Sequence, residues 1–119
     1  MGYRNVIELP VEGERAGRVT LASDDIRLAG VRKLPLPGNR AMVAIRPEEI
    51  SIAPPGTSEN VIAGRVDNVE YGGRDSLFEI VTPRGTRLHV RATGRFDTGA
   101  NVSVHVPPER ALVYPQEAH

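Results

Sequence analysis

A chain of 119 residues with 15 Lys+Arg, 15 Asp+Glu and no Cys is long enough for one buried core and too short for two. Zero formal charge removes the long-range field that gathers nucleic acid or anionic lipid, and the absence of Cys excludes disulfides, thiolate metal sites and thiol nucleophiles, as expected of a reducing, cytosolic setting. No apolar run approaches the roughly 20 residues that span a bilayer, and Met1-Gly2-Tyr3-Arg4-Asn5 lacks the apolar core of a signal peptide.

Gly and Pro punctuate the chain singly, which marks short segments joined by turns and predicts an all-β fold. In chain order, strand-like runs occupy Asn5 to Pro10, Gly17 to Ala22, Arg32 to Leu36 and Ala41 to Arg46. A single helical turn is expected at Pro47-Glu48-Glu49-Ile50, because Pro and then acids suit the first turn of a helix. Pro54-Pro55-Gly56-Thr57-Ser58 reads as a linker within residues 54–59. Val61 to Tyr71 is the next strand. Its apolar residues run Ile62, Val66, Val69, Tyr71, so the inward face changes parity near Asp67-Asn68 and a β-bulge is predicted there.

Tyr71-Gly72-Gly73-Arg74-Asp75 and Pro83-Arg84-Gly85 are predicted hairpin connections on either side of a strand from Ser76 to Thr82. Leu88 and Val90 alternate with Arg87, His89 and Arg91, and Val102, Val104 and Val106 alternate with Asn101, Ser103 and His105, the period of half-buried strands. A second helical turn follows at Pro108-Glu109-Arg110-Ala111.

The halves resemble each other. Asn5-Val6-Ile7 recurs as Asn60-Val61-Ile62, Gly30 to Leu36 resembles Gly85 to Val90, and Gly38 to Ile52 matches Gly99 to Val113 at a slightly longer spacing. The expectation is one domain, residues 1–119, built from two related β units at about 3–53 and 60–114, sharing a barrel- or sandwich-like core.

Chemistry has no visible carrier. No glycine loop ends in Lys-Ser/Thr to hold phosphates, and the one Lys, Lys33, lies in a strand-like run. Gly-x-Ser-x-Gly and His-Glu-x-x-His are absent. His89 and His105 would share a polar face if their strands paired, but no third ligand stands at a recognisable spacing, so solvent-facing strand positions are the preferred reading. Six arginines from Arg65 to Arg95 make the second half basic, yet aromatics at 4% leave little for stacking bases, and no nucleic-acid partner is expected. The charged groups beside the Pro-Glu turns, Arg46, Glu48, Glu49, Glu109 and Arg110, are the candidate contact surface for a partner chain.

Val43-Ala44-Ile45-Arg46-Pro47-Glu48, Gly64-Arg65-Val66, Val69-Glu70-Tyr71-Gly72-Gly73 and Gly99 to Tyr114 together resemble the TOBE domain, the transport-associated OB-fold module at the C-terminal end of ABC transporter ATPase subunits. The resemblance runs from about Tyr3 to Tyr114; Glu12 to Arg18 is more polar than a typical first hairpin, and Arg46-Pro47-Glu48 becomes Pro107-Pro108-Glu109 in the second half. It implies an OB-fold-like barrel, no catalysis and no cofactor in this chain, with ATP and Mg held by an upstream nucleotide-binding domain that the chain lacks. It also implies a second copy of the ATPase subunit as homodimer partner, membrane subunits of the transporter in the same complex, and a place on the cytoplasmic face of the membrane. Tyr3-Arg4-Asn5 is similar to the opening of molybdate-binding relatives of this module, which makes oxyanion binding the alternative.

Overall fold

The computed structural model describes residues 5–115 of the chain. Ten strands follow one another: β1 (Asn5–Arg15), β2 (Arg18–Ala22), β3 (Arg27–Arg32), β4 (Arg40–Ile45), β5 (Ser51–Ile52), β6 (Val61–Gly72), β7 (Asp75–Val81), β8 (Arg87–Thr93), β9 (Asn101–His105) and β10 (Leu112–Pro115). The helical turns are 3-10 turns at Pro47–Glu49 and Pro108–Arg110. The fold is all-β and OB-like, as expected.

Strands β1-β2-β3-β10-β4 close into a barrel, and β5-β9-β6-β7-β8 form an open five-stranded sheet. The two orders are the same when each strand of the first half is matched to the one five later. Each half gives its last strand away: β5 pairs with β9 across the linker, and β10 pairs with β4 and β3. Bulges fall at matching places, between Val11 and Gly13 in β1 and between Val66 and Asn68 in β6, so the predicted bulge at Asp67-Asn68 is present. Register matches Leu28 with Leu88, Ala29 with His89 and Gly30 with Val90. The sequence match of Gly30 to Gly85 therefore set a strand residue against a turn residue.

One difference decides why one half closes and the other stays open. A Cβ on Gly30 would lie 2.5 Å from the Ala111 carbonyl oxygen and 2.8 Å from Val113 Cγ2. Without it, β10 comes close enough for Val31 and Lys33 to donate to the carbonyls of Ala111 and Val113 at 2.8 and 2.9 Å. In the second half the matching residues are Val90 and Ile50, both fully buried. Their bulk stands where backbone packs against Gly30 in the barrel, and β5 lies near β8 without pairing with it.

The predicted strand Arg32 to Leu36 is displaced. The strand is β3, Arg27–Arg32, and Leu34 lies in the following loop, 50% exposed. Pro35 and Pro37 supply no N–H, so this stretch has little to offer a ladder. β1 runs past Pro10 to Arg15, where ion pairs of Glu12 with Arg27 and Glu14 with Arg32 hold its polar end against β3.

Buried apolar side chains of both sheets make one continuous core, from Ile7 and Leu9 through Leu21, Leu28 and Val43 to Ile62, Phe78, Ile80 and Val104. Two asparagines bracket the halves together. Asn5, 4% exposed, donates from Nδ2 to the His89 carbonyl at 2.8 Å and accepts the His89 N–H at 2.7 Å. Asn60 treats Ala29 the same way at 2.8 and 2.9 Å and also donates to the Val106 carbonyl at 2.9 Å. A carboxamide carries donor and acceptor side by side, so it satisfies an edge peptide as a neighbouring strand would. Asn60 has a φ of 55°, a conformation that Asn adopts more readily than most residues.

The β2–β3 turn and the β7–β8 hairpin meet in a polar clasp. The Arg84 N–H donates to Asp25 Oδ2 at 2.9 Å, and its guanidinium pairs with Asp24. Burial pushes the Asp25 carboxyl up, but hydrogen bonds from the Thr82 hydroxyl, the Arg84 N–H and the Ser23 hydroxyl prevail and hold it below its ordinary 3.8.

Candidate functional site

At the barrel rim the chain leaves β4 through Arg46 and enters the turn Pro47–Glu49. Pro at the first helical position fits because its missing N–H has no helical acceptor there. The Glu49 N–H donates to the Arg46 carbonyl at 3.0 Å and the Ile50 N–H to the Pro47 carbonyl at 3.3 Å, which completes one turn and no more. The second turn repeats this geometry: Arg110 donates to Pro107 at 2.9 Å and Ala111 to Pro108 at 3.3 Å. Pro47 is buried, while Arg46, Glu48, Glu109 and Arg110 are exposed and Glu49 is half-buried.

Antiparallel pairing of β4 with β10, with Leu112 opposite Ala44, brings the two turns to one rim. Arg110 Nε then lies 3.6 Å from Glu49 Oε2. Arg46, Glu49, Glu109 and Arg110 surround a groove of about 200 Å³ floored by Ala44, Ile45 and Leu112. Four of the five candidate residues are thus assembled around it; Glu48 is exposed and does not line it. Ala44 also pairs with Val6, 54% exposed, so an outward apolar row of Val6, Ala44 and Leu112 adjoins the groove. Two guanidiniums and two carboxylates cancel, leaving a neutral, polar cleft. Such an arrangement suits contact with another charged surface better than capture of a free ion.

The two-histidine site is not formed. β8 pairs with β7 and β9 pairs with β5 and β6, so His89 faces Glu79 and His105 faces Val61 and Ser51. His89 Nε2 lies 3.3 Å from Glu79 Oε2. Arg87 shares that carboxylate at 2.6 Å and reaches Asp67 at 2.8 Å, and hydrogen bonds to Asp67 and Glu79 raise its pKa above the ordinary value. Among the described residues no group of three or more His, Asp or Glu is placed to hold a metal ion. No helix among them is long and apolar enough to cross a membrane.

Of Tyr3-Arg4-Asn5, Tyr3 and Arg4 lie outside the described residues, and the Asn5 side chain is engaged with the His89 backbone. Composition and motifs give Asn5 and Asn60 no role; the recurrence of Asn-Val-Ile at the start of both halves is the signal that they share one.

A family model described as the TOBE domain matches residues 43–113. Among curated proteins, none matches the sequence. Among solved structures, the cytoplasmic molybdate-binding protein ModG, with molybdate bound, aligns over 94% of this chain and 96% of its own, with a TM-score of 0.77 and 16% identity. A superposition of that quality shows a common fold and, at 16% identity, the fold alone.

Proposed function

Because the chain belongs to the TOBE domain family, we propose that it is the C-terminal regulatory and dimerisation domain of the ATP-binding subunit of an ABC importer, working by contact and not by catalysis. The rim groove carries this reading. It gathers charge of both signs from both 3-10 turns beside the outward row Val6, Ala44 and Leu112. A two-fold axis sets a patch against its own copy, so a neutral patch with equal acids and bases pairs without net repulsion. The partner is the second ATPase subunit, and the membrane subunits join through the parent protein on the cytoplasmic face. ATP and Mg belong to the nucleotide-binding domain of that parent. A bound partner then changes ATPase output only through unequal affinity for the closed and open dimers. The two halves, on this view, are repeats of one β unit whose rims were joined to make the contact.

The test is sedimentation of the ATP-binding subunit carrying Arg46→Glu with Arg110→Glu. The groove is then ringed by four carboxylates, and the dimer dissociation constant is expected to rise at least tenfold, about 1.4 kcal/mol. An unchanged constant refutes the contact role, and ATP turnover by the purified chain alone refutes the non-catalytic one.

A second reading is oxyanion binding, favoured by the shared fold with ModG. A thermal-shift screen of molybdate, tungstate, sulfate and phosphate decides it, since a ligand at 100 times its dissociation constant stabilises by about 2.7 kcal/mol. No shift with any of the four removes it.

A further inference from the structure

Matched positions of the two halves isolate a groove on the open sheet, away from the rim. On the barrel, Glu8 of β1 faces Met42 of β4, Pro10 faces Arg40, and Glu8 pairs with Arg40 at 3.3 Å. The same places on β6 and β9 hold Ala63 opposite Ser103 and Arg65 opposite Asn101. Three large side chains, Glu8, Arg40 and Met42, are thus replaced by the smaller Ala63, Asn101 and Ser103. A groove of about 550 Å³ opens where the barrel carries an ion pair.

Its chemistry is distinct from that of the rim. Arg65 lines it where the barrel has Pro10, and among the described residues Arg65 has no carboxylate partner, unlike Arg27, Arg40, Arg87 and Arg110. No acidic residue lines the groove, while Asn101 and Ser103 add side-chain donors beside the guanidinium. On the β7 side, Val81, paired with Arg65, and Pro83 add apolar lining. A guanidinium presents a planar fork that matches a carboxylate or phosphoryl group. The groove is several times larger than a bare inorganic ion, so its apolar wall has room for a carbon body.

We propose that this groove binds a small organic anion, its carboxylate or phosphoryl group on Arg65 with Asn101 and Ser103, and its carbon body against Val81 and Pro83. This is independent of the assembly role, because none of these residues lies at the rim.

The experiment is amide-resolved NMR titration of the purified chain at constant ionic strength with three probes: inorganic phosphate, phenyl phosphate and benzoate. Saturable shifts are expected at Ala63 to Arg65, Thr82, Gly85 and Asn101 to Ser103, with at least one organic probe binding tenfold more tightly than inorganic phosphate. Arg65→Gln is expected to weaken that probe at least tenfold. Ser103→Met, which restores the side chain of the barrel, is expected to block binding while the rest of the spectrum stays in place. Overturning results are shifts that never saturate, shifts unchanged in Arg65→Gln, no advantage of either organic probe, or shifts centred on Arg46 and Arg110. Sedimentation of the ATP-binding subunit reads the assembly role separately, so neither failure is mistaken for the other.

Discussion

Gly30→Ala adds one methyl group at the seam that closes the barrel. In a strand that exchange ordinarily stabilises, by about 0.5–1 kcal/mol, since Gly loses more chain entropy on folding. Here the new Cβ stands 2.5 Å from the Ala111 carbonyl oxygen, 2.8 Å from Val113 Cγ2 and 3.2 Å from Ala111 Cβ. The nearest of these is backbone held by the Val31 N–H, so the clash is relieved only by moving β10 off β3. Overpacking of this kind costs about 1–3 kcal/mol, which outweighs the entropic gain. Subtracting that gain leaves a net loss of up to about 2.5 kcal/mol, and at roughly 4 °C per kcal/mol for a domain of this size a fall of up to about 10 °C is expected in calorimetry. Hydrogen exchange locates the damage: the Val31 and Lys33 amides, which donate to Ala111 and Val113, should lose protection before those of β6 and β7. Gly13→Ala is the control, because a Cβ there meets nothing within 4 Å. A Gly30→Ala protein as stable as the parent, with Val31 and Lys33 still protected, would refute the account of closure.

The asparagine brackets should be unequal. Asn60→Ala strands the Ala29 peptide and the Val106 carbonyl and should cost about 2–5 kcal/mol in urea unfolding, more than Asn5→Ala, which strands one peptide. Asn60→Asp keeps the acceptor for the Ala29 N–H but sets a carboxylate against two carbonyls, so it should be no milder than Ala. The Asp25 carboxyl is held below its ordinary 3.8, so its contribution is present above that pH and lost as pH falls through the folded value; Asp25→Asn should flatten the acid limb of stability measured by denaturant melts. A double-mutant cycle on Glu49 and Arg110, both solvent-accessible and 3.6 Å apart, should return a coupling of at most about 1 kcal/mol, because exposed pairs are screened. A larger value would show that the rim is more sheltered than its exposure indicates.

Alternation made most of the sheet legible. Leu88 and Val90, or Val104 and Val106, point inward because period two leaves them no other face, and the parity change at Asp67 needed a bulge whatever the fold. β3 escaped that logic for one residue. Gly30 faces the core where an apolar side chain would have completed the pattern of Leu28, so the alternation looked stronger among Lys33, Leu34 and Leu36, outside the true strand. The rim turns were legible from Pro47 and Pro108, but their meeting was not. Glu49 and Arg110 touch only because β10 crosses to β4, and such long-range pairing leaves no trace in the spacing of residues. The separation of His89 from His105 has the same origin: strands adjacent in sequence, β8 and β9, are not neighbours in the sheet.

The exchange of last strands between the halves makes them mutual templates. Cutting the chain within residues 54–59 would yield two pieces, one carrying β5 without the β9 it pairs with, the other carrying β10 without β3 and β4. Neither piece holds a complete sheet, so each is expected to stay unstructured alone and to recover order when mixed with the other. The barrel also cannot shut until residues 112–115 have been made, since its closing strand is β10. Loops this long slow folding, and a half-made chain carries an open, apolar seam that any matching strand can fill.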